Sequence, residues 1–201
     1  MRRWIAWALC AATLAGTGCL FVDRIEYRMR INDDGDLEQM VVRYVGLSSD
    51  AENEEELAAD FVDLTEIWRG DEHAAERRRE GLVVLDRQLF VEDGKLSGTE
   101  KLEPVANALP EVMTEMRATD TMRVLRIENT TDAVVDSNGK IEKLAEGYDI
   151  AWPLDERELW FIQATDRGEI PADRIAANAA ELVKRFEAKF GDEGAQTPEK
   201  E

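Results

Sequence analysis

Residues 24–44 read RIEYRMRINDDGDLEQMVVRY. Two runs with apolar residues at alternate positions flank an acidic, glycine-containing segment, the pattern of two half-buried strands and a turn. Asp34-Gly35 supplies residues that tolerate the positive φ angles of a tight hairpin turn. A two-residue loop at 34–35 sets Asp33 opposite Asp36, and the register it implies can be checked along both strands. One face then pairs Met29 with Met40, Tyr27 with Val42 and Ile25 with Tyr44, while the other pairs Arg30 with Gln39 and Glu26 with Arg43. A single register that matches apolar with apolar and base with acid is strongly specified, because a slip of one residue would invert both faces.

The same test extends along the chain. A loop at Asp93-Gly94 pairs Val91 with Leu96 and Leu85 with Leu102, and brings Arg87 to Glu100 and Asp86 to Lys101. A third turn, Ser137-Asn138-Gly139, fits a three-residue loop with Gly139 left-handed in a bulge and Val135 opposite Ile141. Further strands are expected over Tyr148 to Trp152 and Leu159 to Thr165.

Helices fill the intervals. Ser49 and Glu52 have the spacing of a capping box, and the acids at 50–56 suit the positive end of a helix dipole. Leu57, Phe61, Leu64 and Trp68 follow as one apolar stripe. A second helix starts at Asp71 and ends with Arg77, Arg78 and Arg79 before Gly81, cations that suit a helix C-terminus. A short helix is expected from Pro110 to Met116, and a long one from Pro171 to Phe190 that buries Ile175, Ala179, Leu182, Phe186 and Phe190. The fold class is therefore α+β: a largely antiparallel sheet built from hairpins, with helices packed on one face. Residues 19–191 form one such domain, and residues 192–201 read as a disordered acidic tail.

The first nineteen residues have another character. Arg2-Arg3 precedes the apolar run Trp4 to Leu14, then come Ala15, Gly16, Thr17, Gly18 and Cys19. This stretch resembles the signal peptide and lipobox of bacterial lipoproteins, although Gly16 stands where an aliphatic residue is usual. The resemblance implies removal of residues 1–18 by cleavage between Gly18 and Cys19, with acylation of Cys19. It also implies an outer-membrane location, since Leu20 replaces the aspartate that retains such proteins at the inner membrane. The competing reading is an uncleaved membrane helix over Trp4–Val22, nineteen residues without charge.

The chain carries 44 acidic and 25 basic residues, a net charge of −19 that becomes −21 once Arg2 and Arg3 are removed. Such charge disfavours nucleic acid, whose binding depends on neutralising phosphates. With Cys10 in the removed segment and Cys19 acylated, the mature domain has no thiol for catalysis, disulfides or metal. His73 is the sole imidazole and reads as an exposed residue of a charged helix. Asn32 to Asp36 resembles the start of a calcium loop, but Leu37 and Arg43 stand where such a loop needs Gly and Glu. Trp152 and Trp160 read as core or sheet-edge residues. No catalytic, cofactor or metal residues emerge. The expectation is a non-enzymatic envelope lipoprotein, held to the bilayer by the acyl chains on Cys19 and binding an envelope protein or component. The alternatives are a carrier of lipid or another hydrophobic molecule between sheet and helices, and an enzyme that uses carboxylates alone.

Overall fold

The register derived for residues 24–44 runs through the centre of the molecule. In the computed structural model, which describes residues 19–106, 108–128, 132–166 and 168–191, β1 (Leu20–Phe21) and β2 (Arg24–Ile31) lie antiparallel to β3 (Leu37–Ser49). The segments read as a signal peptide, residues 1–18, and as a disordered tail, residues 192–201, lie outside the described residues. All five expected pairs are present, from Ile25 opposite Tyr44 to Arg30 opposite Gln39.

The turn itself departs from expectation. Gly35 N–H donates to the Asn32 carbonyl (3.1 Å) and Asn32 N–H to the Asp36 carbonyl (2.9 Å), so the loop has three residues, with Gly35 at φ 92°. A bulge at Glu38 restores the register one step later. Its cause is visible in the side chains. Ile31, Leu37 and Met40 are all buried, and only an extra residue between Leu37 and Met40 lets all three face inward.

The second hairpin, β4 (Leu82–Glu92) with β5 (Lys95–Pro104), turns at Asp93 and Gly94, both at positive φ as a two-residue turn requires. Val91 faces Leu96 as expected, but Val84 faces Leu102 and Leu85 bulges outward, 49% exposed. The bulge turns both Val84 and Arg87 inward. Arg87 there donates to the carbonyls of Ile67 and Gly70 (both 3.0 Å), at the end of the first helix.

The third turn is not a hairpin. β8 (Ala133–Ser137) pairs with β11 (Glu158–Ala164), whereas β9 (Lys140–Leu144) pairs with β10 (Gly147–Pro153) in another sheet. Asn138 makes the crossing. Its Oδ1 accepts from Trp152 Nε1 (2.8 Å) and Trp160 N–H (2.9 Å), and its Nδ2 donates to the Glu158 carbonyl (2.6 Å). Gly139 is needed for closeness, not for a left-handed φ: a Cβ there would sit 2.6 Å from Trp152 Nε1.

Two antiparallel sheets result. The larger runs β4-β5-β3-β2-β11-β8 with β1 beside β3, and the smaller runs β6-β7-β10-β9, with β6 (Met116–Ala118) and β7 (Met122–Glu128). The α+β class is as expected; the second sheet is not. Its β7 escaped notice because Arg123 shares the buried face with Leu125, which breaks the apolar alternation.

Among the described residues the helices are α1 (Glu54–Arg69), α2 (Asp71–Arg79), α3 (Glu111–Thr114) and α4 (Ala172–Phe190). The N-cap lies four residues later than expected, at Asn53. Asn53 Oδ1 accepts from the N–H groups of Glu55 and Glu56, and Glu56 Oε2 accepts from Glu52 N–H. Ser49 is still in the sheet, paired with Leu20, so the helix cannot begin there. The expected helix to Met116 stops at Thr114, where the chain turns into β6. One contiguous core joins Met29, Val42 and Leu102 of the large sheet, Leu125, Ile150 and Trp152 of the small one, and Leu57, Phe61, Leu64, Trp68, Leu182 and Phe186 of the helices.

Candidate functional site

Two places carry more chemistry than packing alone requires: the edge where the chain enters the domain, and a polar cluster beneath α2.

At the edge, Cys19 N–H donates to the Asp50 carboxylate, and Asp50 N–H returns a bond to the Cys19 carbonyl (3.1 Å). Leu20 and Phe21 then pair with Ser49 and Ser48, and Leu20 and Val22 are buried in the core. Asn178 of α4 closes the corner, its Nδ2 donating to the carbonyls of Ser49 and Ala51 (both 2.9 Å). Below it, Ser49 Oγ donates to Asp60, a buried carboxylate of α1. Burial pushes the Asp60 pKa up, the Ser49 bond opposes it, and neighbouring Asp50, Asp63 and Glu56 add to the rise. Cys19, the first of the described residues, is thus already held at the sheet edge. Because β2 runs away from this edge, Arg28 and Arg30 lie about 30 and 36 Å along the strand from Cys19 at ~3.3 Å per residue. Of the three arginines of that strand, Arg24 alone stays near. Asp50 is the charge in contact with Cys19, while Asp23 pairs with Lys95, Glu52 with Arg174 and Glu54 with Arg185.

The second place is built around Glu100, which is wholly buried on the helix-facing side of β5. Arg77, the first of three arginines expected to cap α2 from its surface, points inward instead and is 4% exposed. Its Nη2 donates to Glu100 Oε2 (2.8 Å) and to Tyr44 Oη (2.7 Å), and its Nη1 donates to Glu80 (3.0 Å). His73, expected on the surface, is half-buried with Nε2 2.5 Å from Glu100 Oε1. Helical spacing explains the pair: residues 73 and 77 lie one turn apart on the same face of α2. Glu100 and Arg87 are opposed in register as expected, yet their side chains diverge to different partners.

Burial alone would raise the Glu100 pKa. The His73 hydrogen bond and the charge and hydrogen bonds of Arg77 outweigh it and hold the carboxyl at about 2. Burial likewise takes the Tyr44 hydroxyl well above its ordinary value, and Tyr27, stacked on Phe161 at 4.5 Å, up to about 12 despite the nearby Arg77. The cluster is a closed, charge-compensated network in which each ionisable group has a partner. It locks α2 onto the sheet.

The sequence isolates His73 and the arginine triplet but not their common partner, because Glu100 reads as one of many outward charges on an alternating strand. Its signal was the register: position 100 falls on the face that carries Leu96 and Leu102.

No three of His, Cys, Asp and Glu converge on a metal-sized site among the described residues, and none of their helices is long and apolar enough to cross a membrane. Comparison of the chain with protein-family models, with curated proteins and with solved structures finds no match in any of the three.

Proposed function

We propose that the chain is a bacterial envelope lipoprotein, tethered at the outer membrane by acyl chains on Cys19, whose domain acts as a non-enzymatic binding or structural module. The observation that carries the proposal is the incorporation of Leu20 and Val22 into the core. The apolar run that could span a bilayer as a helix loses its last residues to the domain. Residues 4–18 then reach only about 22 Å at ~1.5 Å per helical residue, short of the ~30 Å hydrocarbon thickness. A run of that length suits a cleaved signal better than a membrane span.

Two features of the interior favour surface binding over carriage of a hydrophobic molecule. Leu47, Leu64, Leu96, Leu102 and Leu182 are completely buried, and Trp68 seats so closely on Gly98 that a Cβ there would lie 2.3 Å from the ring. The only imidazole is engaged with Glu100, which supports a structural role for it.

Metabolic labelling with palmitate tests the anchor. Cys19→Ser should lose the label and accumulate as a larger precursor, and a variant processed and labelled like the parent would overturn the lipoprotein reading. A flexible segment inserted between Cys19 and Leu20 tests the role of close tethering. If the domain works against its own membrane surface, function should fall while protein level and location stay unchanged.

A further inference from the structure

Arg123 of β7 faces the interior beside Leu125 and is only 6% exposed. Among the described residues its guanidinium makes one hydrogen bond, from Nη1 to the Glu156 carbonyl (3.3 Å), and has no ion-pair partner. The Glu156 carboxylate is turned elsewhere and accepts from the N–H groups of Arg157 (3.1 Å) and Glu158 (3.2 Å). A second guanidinium stands alongside. Arg157 donates Nη1 to the Asn32 carbonyl (2.7 Å), and its Nη2 lies 3.5 Å from Asp33, whose carboxylate is fully exposed. Gly35 of the same loop lies beside Arg123: a Cβ added there would be 3.7 Å from Nη2. Burial and the charge of Arg157 both push the Arg123 pKa down.

Buried charges are ordinarily paired, because an uncompensated one bears its full desolvation cost. The chain is rich in acidic side chains, 44 in all, yet none among the described residues pairs with Arg123. Two neighbouring guanidiniums, with one loosely held surface carboxylate on Arg157 and none on Arg123, leave positive charge uncompensated among the described residues. Their planar donors suit the oxygens of a tetrahedral dianion.

We propose that Arg123 and Arg157, with the Asn32–Asp36 loop, bind a small oxyanion of the phosphate class. The site lies at the far end of β2 from Cys19, thirteen residues and roughly 40 Å along nearly continuous strand. The binding chemistry is independent of the anchor. If Cys19 is acylated, that distance sets the site apart from the edge that carries the lipid, and the phosphate would be free or part of a partner molecule.

Thermal unfolding of the purified full-length chain tests this, with inorganic phosphate or dimethyl phosphate added against sodium chloride of matched ionic strength. Phosphate should raise the Tm in a saturable manner, by about 5–10 °C at a hundredfold excess over its dissociation constant. An equal rise with dimethyl phosphate would identify a phosphodiester as the source, and a rise with inorganic phosphate alone a free dianion. Arg123→Gln should abolish the rise while leaving the phosphate-free Tm at or above that of the parent, since it removes an unpaired buried charge. Arg157→Gln, at a more exposed position, should keep the fold and raise the half-saturating phosphate concentration at least tenfold. No rise in the parent beyond that with chloride, or the same rise in Arg123→Gln, would overturn the proposal.

Discussion

Replacing Glu100 with glutamine removes the one charge on which α2 and β3 converge. In the folded chain its carboxyl is held at about 2, against an ordinary value of 4.5, by His73 and Arg77 in spite of burial. At ~1.36 kcal/mol per unit the difference amounts to about 3 kcal/mol. The sign follows from the direction. A carboxyl depressed by folding contributes stability that is fully present above pH 4.5 and is lost as pH falls through about 2. Glu100→Gln should therefore cost about 3 kcal/mol at neutral pH, or roughly 6–12 °C in Tm for a domain of this size. Urea unfolding followed by tryptophan fluorescence at pH 7 and at steps down to pH 2 measures both quantities. The parent-minus-variant difference should shrink across that acid window. Arg77→Met should cost a similar amount, because it leaves Glu100 buried without its main cation. Arg77→Met combined with Glu100→Leu should cost clearly less than the two single changes added together. A Glu100→Gln variant within 1 kcal/mol of the parent, with additive single and double changes, would refute the view that this network holds α2 on the sheet.

The remaining expectations concern close packing and shared hydrogen bonds. Gly98→Ala drives a methyl into the Trp68 ring and should destabilise by about 1–3 kcal/mol, read as a lowered urea midpoint with little change in slope. Asn138→Ala strands the Trp152 indole N–H and the Trp160 amide; a loss of about 2–4 kcal/mol is expected, with a shift in tryptophan emission as the crossing between sheets loosens. His73→Ala should cost about 1–2 kcal/mol through the lost bond to Glu100, whereas a merely exposed histidine would cost nothing measurable.

The sequence by itself determined the elements whose information is local. Alternation along residues 24–44 needed only the period of a strand and the matching of two faces, and five of its pairs stand in the structure. The apolar stripes of α1 and α4 followed from helical spacing, and Leu57, Phe61, Leu64, Trp68, Leu182 and Phe186 are all buried. The α+β class followed from those elements. Only the tertiary structure decided matters that depend on residues far apart in the chain. The bulges at Glu38 and Leu85 exist because inward positions on either side fall out of step, a mismatch defined by the packing they meet. Ser137 to Gly139 carries the residues of a turn, but Asn138 is recruited by Trp152 and Trp160, and the strands on either side join different sheets. Arg77 has the local signature of a surface helix cap, yet Glu100 and Tyr44, 23 and 33 residues away, draw it inside. Arg123 likewise hid its strand, because a charge on a buried face contradicts local pattern and makes sense only beside what surrounds it. Periodicity records which face a residue occupies; whether a charge on that face finds a partner depends on contacts that form only when distant segments meet.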